Sequence, residues 1–406
     1  MLAAIAPLAR LRTVPRPFEL RTSVDASRPS LPLVLGLILV HVGFALVLIM
    51  RAGVSFGSDG IDRYIEIATG EGRPYVDRQV EYMPVDVLVM EMVVVDSPEG
   101  SYRGFVTVAL AADLGIGAVL AYGWGSATAV RYLLLSLAAL PFLFLTTDLV
   151  SVFLAVAGMA LALRGRETLG GVTLAAAVLT KVWPAAVVPA LLVAGRRRAV
   201  AVACVGAGLG FGAWLLYAGV GGLSQVLTFR GAKGWEVESV VGVVVWIALG
   251  RTTTVEQGAP RVGTAPTWAR LGLAAALAFG LVALWRKARS WPGRVEGVPA
   301  TVAVSLVIVC SPLFSLGYVT WLLPWSAIAA DEPEHRAFVW ACGAAVALTG
   351  VMALVYTGAG PVSQPVLQTL ILTRNVACLA IIVAWFRGQR EQRHAFGPVV
   401  RRSRAG

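Results

Sequence analysis

The chain has 406 residues, of which 57% are apolar and only 14% are charged. A soluble domain carries about 25% charged residues, so this composition excludes the soluble globular, disordered, coiled-coil and collagen-like classes. The formal net charge of +11 does not indicate nucleic-acid binding, because the basic residues form short clusters between apolar runs and in both tails. The chain is therefore predicted to be a polytopic helical membrane protein.

Apolar runs of about 15–22 residues, the length that crosses a bilayer core, recur along the chain. Ten full spans are predicted, at 31–50, 102–122, 131–147, 149–163, 199–219, 267–285, 298–312, 316–330, 336–357 and 366–386. Basic clusters separate them, and the positive-inside rule places these clusters in the cytoplasm. The prediction is a single transmembrane domain, 31–386, in the plasma membrane, with cytoplasmic basic tails at 1–30 and 387–406.

The segment 168–195 needs a different treatment, because the arginines on both its flanks should be cytoplasmic. It must then cross an even number of times. Two short helices that meet near Lys181 satisfy this condition, and Pro184 supplies the break. Such a broken hairpin lines a polar cavity or is buried in protein. The predicted fold is all-α, with 10–12 transmembrane helices, a broken hairpin and external interfacial helices.

Two segments are predicted to lie outside, 51–101 and 220–266, and the first holds ten of the 23 acidic residues. Within it, the spacing of Ile61, Ile65 and Ile67 indicates a helix on the membrane surface. The apolar pieces 85–95 and 240–249 are too short to span. A carboxylate in such a loop can act as a general base toward a hydroxyl, and a solvated acidic loop is the plainer interpretation.

Three polar residues lie within or at the ends of apolar runs, namely Asp148, Lys181 and Arg374. Charges at such depth usually mark a functional cavity, and the alternative is a structural pair or a side chain that reaches the near surface. Arg374 is predicted about 12 Å below the interface, at 1.5 Å per residue. Its partner is either a buried carboxylate, which would make it structural, or a phosphate group held by two parallel hydrogen bonds.

The glycine run Gly206-x-Gly208-x-Gly210-x-Gly212 lies inside a predicted span and indicates close helix packing rather than a phosphate loop. The four cysteines lie in apolar runs without a C-x-x-C pair, and the three histidines are far apart in sequence. No disulfide framework, zinc site or histidine-based catalytic site is predicted. No cofactor is named, and a divalent metal is neither indicated nor excluded.

Five motifs follow one another along the chain: Ser58-Asp59…Tyr64…Gly72-Arg73-Pro74-Tyr75-Val76-Asp77…Glu81-Tyr82-Met83-Pro84, Asp148-Leu149, Gly170-Gly171…Leu179-Thr180-Lys181-Val182-Trp183-Pro184, Lys233-Gly234-Trp235-Glu236-Val237-Glu238-Ser239 and Ser311-Pro312…Tyr318…Trp321-Leu322-Leu323-Pro324. Together they resemble the motifs of integral-membrane glycosyltransferases of the C superfamily. The resemblance is greatest to family 87 and related polyprenyl-phosphate-mannose-dependent mannosyltransferases. Met83 stands where the family has proline, Lys233 where it has arginine, and Gly317 where it has glutamine.

The resemblance implies an enzyme, a hexosyltransferase that uses a polyprenyl-phosphate-linked sugar, with mannose as the expected sugar, at the outer face of the membrane. It implies that Asp59 is the catalytic base, taking the proton of the acceptor hydroxyl. The negative charge that develops on the leaving lipid phosphate must then be stabilised by nearby cations. The resemblance assigns four cations to this role: Lys181, Arg230, Lys233 and Arg374. The other residues that it assigns to substrate binding are Asp62, Tyr75, Asp77, Glu81, Tyr82, Glu238 and Tyr318.

The implied partners are the lipid-linked donor, a glycolipid or glycan acceptor and membrane lipid, with no nucleic acid. Two other functions stay open at this point. A multi-span transporter or lipid flippase is compatible with the number of crossings, although the polar residues gather at one face. A non-catalytic assembly protein of the cell envelope is the other alternative.

Overall fold

The structure, a computed structural model, describes residues 29–52, 59–250, 252–332, 336–356 and 363–395. The first part is α1 Leu31–Met50, α2 Asp59–Thr69, α3 Pro84–Val93, α4 Pro98–Trp124, α5 Ser126–Ser136, α6 Leu140–Leu143, α7 Asp148–Leu163, α8 Glu167–Thr180, α9 Pro189–Val193 and α10 Arg197–Leu227. The second part is β1 Trp235–Glu236, α11 Val240–Leu249, β2 Thr254–Glu256, β3 Ala259–Val262, α12 Thr267–Ala288, α13 Val298–Cys310, α14 Leu323–Ala329, α15 Arg336–Tyr356 and α16 Gln364–Ala395. Short 3-10 segments lie at Leu137–Ala139, Trp183–Ala186 and Leu316–Leu322.

The fold is that of a predominantly helical, multi-pass membrane protein with one small sheet. Within the described residues, seven helical stretches are long and apolar enough to cross a bilayer: Leu31–Met50, Pro98–Trp124, Ser126–Leu143, Arg197–Leu227, Thr267–Ala288, Ala337–Tyr356 and Gln364–Arg387. Seven of the ten predicted full spans coincide with these stretches. The segments predicted at 149–163, 298–312 and 316–330 are shorter helices. They bury most of their residues inside the protein, so lipid contact does not set their length.

The segment 168–195 forms a broken hairpin. α8 ends at Thr180, Lys181 has an extended backbone, and Pro184 lies in the 3-10 turn before α9. The two flanks meet at one end of the bundle, where Arg196 donates to the Leu163 carbonyl over 2.8 Å. Both ends of the segment therefore lie at the same end of the bundle, as an even number of crossings requires.

The arginines between the helices gather at the same end. Arg164 donates to the Tyr122 carbonyl at the end of α4. Asp331 pairs with Arg294 at 2.7 Å and also with Arg131. The ends of α4, α7 and α14 thus lie beside the starts of α5, α8 and α13. The acidic loop and the β-strands lie at the opposite end.

The glycine run of α10 packs against α8 with alternate residues. A side chain at Gly206 would come within 2.9 Å of Ala175, and one at Gly210 would meet Leu179. Gly208 and Gly212 have no neighbour within 4 Å of an added Cβ. The predicted close packing therefore holds for half of the run, because a helix turns only one face to its neighbour.

The two external segments carry the remaining short elements. α2 buries Ile61 and Ile67, as their helical spacing predicts. In the second segment β3 pairs antiparallel with both β1 and β2. The β2–β3 turn has positive φ at Gln257 and Gly258, which suits a tight hairpin. Both segments face one cavity.

Candidate functional site

A cavity of about 870 Å³ opens at the end of the bundle opposite the interhelical arginines. Its walls come from α2, the segment before α3, the tip of the broken hairpin, the end of α10, the β2–β3 turn and the segment 311–321. Asp148 at the start of α7 and Glu236 in β1 also line it, so elements distant in sequence contribute side chains to one space. Cavities of this size accommodate small organic ligands.

Two arginines share one buried carboxylate at the side of the cavity nearest α2. Arg63 donates to Glu81 through two nitrogens, at 3.0 and 2.8 Å. Arg230 approaches the same carboxylate at 3.2 Å, and Arg63 also pairs with the exposed Glu66 at 2.7 Å. Glu81 is almost fully buried, so its charge fixes both guanidinium groups in place. Because it is paired twice, Glu81 is poorly suited to act as a base.

A lysine lies between two buried carboxylates at the tip of the hairpin. Lys181 Nζ is 3.3 Å from Asp86 and 3.6 Å from Asp148. The indole N–H of Trp321 donates to Asp148 over 2.9 Å, and Thr146 donates to its other oxygen over 2.5 Å. The ammonium group also lies 4.9 Å from the centre of the Tyr82 ring, within the range of a cation–π contact. A partly buried lysine held in this way stays oriented toward the cavity that it lines.

Stacked aromatic rings form a third wall. Trp183 and Trp321 stack at 5.3 Å, and Trp321 and Tyr318 at 4.1 Å. Tyr318 continues to Phe314 at 6.4 Å. These rings connect the lysine side of the cavity to the side where β1 ends. Aromatic walls bury apolar faces of a ligand at little entropic cost.

Glu236 lies at the β1 side of the cavity. One of its carboxylate oxygens accepts the backbone N–H of Phe314 at 2.7 Å. No ion-pair partner for this side chain exists among the residues that the structure describes. Burial raises the pKa of Glu236 to about 7, and the nearby charge of Glu238 adds to this effect. The group therefore exchanges its proton near neutral pH.

The β2–β3 turn closes part of the cavity mouth and is fixed to Arg230. The Arg230 guanidinium donates to the Gln257 carbonyl at 2.7 Å, and the Gln257 amide donates back to the Arg230 carbonyl at 3.3 Å. Arg230 has a positive φ of 55°. The position of the turn and that of the arginine thus depend on each other.

Six of the eleven binding residues predicted from the sequence come together in this cavity. Those that line it are Asp62, Glu81, Tyr82, Lys181, Arg230 and Tyr318. Asp62 is exposed, and the described residues offer it no ion-pair partner. Asp62 is therefore the carboxylate of this wall that is both exposed to solvent and outside any ion pair among the described residues. The predicted base, Asp59, begins α2, and its side chain lies outside the described part of the chain, as does Ser58.

Three predicted residues have structural positions away from the cavity. The hydroxyl of Tyr75 donates to the Tyr82 carbonyl over 2.6 Å, and its ring packs on Trp214. Asp77 accepts two hydrogen bonds from Arg73 and closes a turn. The Lys233 backbone N–H donates to Glu256, while its side chain lies outside the cavity wall. These residues shape the loops rather than line the ligand space.

Arg374 and Glu238, both predicted to bind substrate, bind each other instead. Arg374 is fully buried, and its guanidinium donates to the Glu238 carboxylate at 2.9 Å and to the Glu238 carbonyl at 2.5 Å. Its charge also lies 3.7 Å from the centre of the Phe314 ring. Of the two alternatives for Arg374, these contacts favour the structural one, because a carboxylate from a distant loop already fills the partner position.

The sequence reasoning missed Arg63, Asp86 and Glu236. Arg63 could have been found from its position next to Asp62 in a polar stretch. Asp86 could have been found as a carboxylate that interrupts an apolar run. Glu236 is two residues from Glu238 in the same motif, and β1 is too short for alternation to show which of the two faces the cavity.

Gly317 stands where the glycosyltransferase motifs that the chain resembles have glutamine. This position has no room for a side chain. An added Cβ would collide with the Asp148 carboxylate and come within 2.9 Å of Thr146. The departure therefore matches the local packing, since a larger residue here would displace the carboxylate that faces Lys181.

Among the described residues, no group of three or more His, Cys, Asp or Glu side chains is placed to hold a metal ion. No known protein-family model matches the chain, and no curated protein matches it significantly.

Proposed function

We propose that the chain is a membrane glycosyltransferase that moves a hexose, most simply mannose, from a polyprenyl-phosphate donor to an acceptor hydroxyl. The observation that carries the proposal is the composition of the cavity. Arg63, Lys181 and Arg230 suit the charge of a lipid phosphate, while carboxylates and stacked rings suit a sugar. The order of the five sequence motifs supports the same class.

The location of the cavity supports the proposal as well. It lies at the end of the bundle that holds the acidic loop, away from the arginine-rich end, which the positive-inside rule assigns to the cytoplasm. A polyprenyl phosphate has its phosphate at the membrane surface and its chain in the bilayer. We therefore propose transfer at the outer face of the plasma membrane, with both termini cytoplasmic.

In the proposed reaction a base takes the proton of the acceptor hydroxyl as its oxygen attacks the anomeric carbon. The bond from that carbon to the phosphate oxygen breaks, and the lipid phosphate leaves with the electron pair. Asp59 is the proposed base, and the cationic groups stabilise the leaving phosphate. Asp62, three residues later on α2, is the second candidate for the base.

The test is an assay of membranes with radiolabelled polyprenyl-phosphate-mannose. Asp59→Asn is expected to reduce transfer by about 10²–10⁴-fold, the usual effect of removing a general base. Asp96→Asn is the matched control, because Asp96 is exposed and outside the cavity wall, and it is expected to keep normal activity.

If Asp59→Asn retains wild-type turnover while Asp62→Asn loses it, the base is Asp62. If neither substitution affects transfer, the base assignment is wrong. Movement of intact donor across vesicles, without sugar transfer by the wild type, would favour a flippase.

A further inference from the structure

Glu236 is the one acidic side chain of the cavity wall that is both buried and without a cationic partner among the described residues. Only 9% of the residue is exposed. Glu81 and Asp148, the other buried carboxylates of this wall, lie beside cations. A buried carboxylate without a cation is costly unless a donor satisfies it. The Phe314 N–H satisfies one oxygen, and the other oxygen faces a space where a ligand can donate.

The surroundings of Glu236 indicate the kind of donor. The same Phe314 begins the run of stacked rings that includes Tyr318 and Trp321. An acceptor carboxylate beside aromatic faces suits a molecule with hydroxyl groups on one edge and C–H groups on its faces. A cationic ligand is less suitable, because Arg261 and Arg374 contribute positive potential at Glu236.

We infer that Glu236 and Tyr318 form a subsite for a hexose ring, in which the Glu236 carboxylate accepts a hydrogen bond from a ring hydroxyl. The inference rests on the proposed function and specifies it: Glu236 is a substrate-binding residue that selects for a hydroxyl at one ring position. The ring belongs either to the donor sugar or to a glycan acceptor, and the two sources share this chemistry.

The subsite depends on pH because the ionised carboxylate is the stronger acceptor. The pKa of Glu236 is about 7, so hexose binding strengthens as the pH rises from 6 to 8. The titratable and charged groups that face Glu236 come from its own loop, α15, β3, α16 and the 3-10 segment: Glu238, Tyr356, Arg261, Arg374 and Tyr318.

The experiment measures binding of octyl mannoside to the full-length protein in detergent, by intrinsic fluorescence and by thermal stabilisation. Glu236→Gln keeps the shape and an acceptor for the Phe314 N–H. We expect it to weaken binding about tenfold at pH 8, the effect of one charged hydrogen bond, and to abolish the change in affinity between pH 6 and pH 8.

Glu238→Gln is the matched control. Glu238 is a buried carboxylate of the same loop that pairs with Arg374 outside the cavity wall. We expect it to lower the melting temperature and to leave octyl mannoside affinity unchanged at pH 8, where Glu236 is ionised with or without the neighbouring Glu238 charge. Deoxy analogues of the mannoside identify the hydroxyl, since the analogue that lacks it should bind wild type and Glu236→Gln equally.

Two further ligands distinguish the sources of the ring. If Glu236 holds the donor sugar, Glu236→Gln weakens binding of polyprenyl-phosphate-mannose but not of polyprenyl phosphate. If it holds the acceptor, both lipids bind normally and only octyl mannoside binding weakens. Either result supports the subsite.

Equal mannoside affinity in wild type and Glu236→Gln would overturn the inference, as would wild-type affinity that is the same at pH 6 and pH 8. The pH comparison needs no variant and applies even if Glu236→Gln fails to fold. Glu236-dependent binding in a protein that transfers no sugar would keep the subsite and reject the proposed enzymatic function.

Discussion

At the scale of single residues, the charges of the external end divide into those that face the cavity and those that hold loops together. From the sequence, Arg230 and Arg374 have the same predicted role, that of a cation beside a lipid phosphate. The structure gives Arg230 a position on the cavity wall and gives Arg374 a carboxylate partner. The difference arises because Glu238 comes from a loop more than a hundred residues away.

Arg230→Gln is expected to reduce sugar transfer by about 10²–10³-fold, since it removes a charge that stabilises the leaving phosphate. The measurement is the initial rate with saturating acceptor at several donor concentrations. Arg270→Gln is the control, because Arg270 donates to the carbonyls of the same loop but does not line the cavity. Equal losses in both variants would show that the arginines act only by holding the loop.

Arg374→Met is expected to lower the free energy of unfolding by about 3–5 kcal/mol, because it leaves the buried Glu238 carboxylate without its cation. Thermal unfolding in detergent, with and without Glu238→Gln, measures the coupling, and the double variant should be more stable than the sum of the single effects. Weaker donor binding by Arg374→Lys at an unchanged melting temperature would restore the phosphate role.

At the scale of elements, the broken hairpin brings Lys181 to the cavity. α8 packs between α7 and α10 through glycines: a side chain at Gly170 would come within 2.7 Å of α7 backbone atoms, and one at Gly171 within 2.5 Å of the Ala199 carbonyl. Close helix contacts of this kind are typical of membrane bundles. They fix the height of the hairpin tip and thus the position of the lysine.

Gly171→Ala is therefore expected to lower the melting temperature by several degrees and to reduce activity, because α8 must move away from α10. Gly208→Ala is the control on the facing helix, where an added Cβ meets nothing within 4 Å. Alanine favours helix over glycine, so this variant should be at least as stable as wild type. Equal stability of the two variants would contradict the packing argument.

At the scale of the whole molecule, the helices alternate between an arginine-rich end and an acidic end. This arrangement predicts residues 51–101 outside the cell and residues 164–167 and 195–198 inside. Both Glu71 and Arg197 are exposed, so each is a suitable site for a single cysteine in a cysteine-free variant.

A membrane-impermeant maleimide added to intact cells is expected to label Glu71→Cys but not Arg197→Cys, and permeabilised cells should allow both reactions. Labelling of Arg197→Cys in intact cells would place the arginine-rich end outside. The cavity would then face the cytoplasm, and a lipid-linked donor at the outer face could not reach it.

The sequence by itself determined the class of fold and the position of most helices. Apolar runs of bilayer length, the proline at the hairpin tip and the isoleucine spacing of α2 are local signals, because they reflect burial and backbone geometry within a few residues. The same signals do not separate long membrane-spanning helices from the shorter apolar helices, since a helix buried in protein is as apolar as one in lipid.

Only the tertiary structure decided which polar residues share a cavity. Lys181 meets Asp86 and Asp148 across 95 and 33 positions of the sequence, and Glu81 meets Arg230 across 149. No local pattern specifies such pairs, because each depends on how several helices and loops pack. For the same reason the sequence marked Glu238 as a binding residue, and the packing placed Glu236 at the cavity instead.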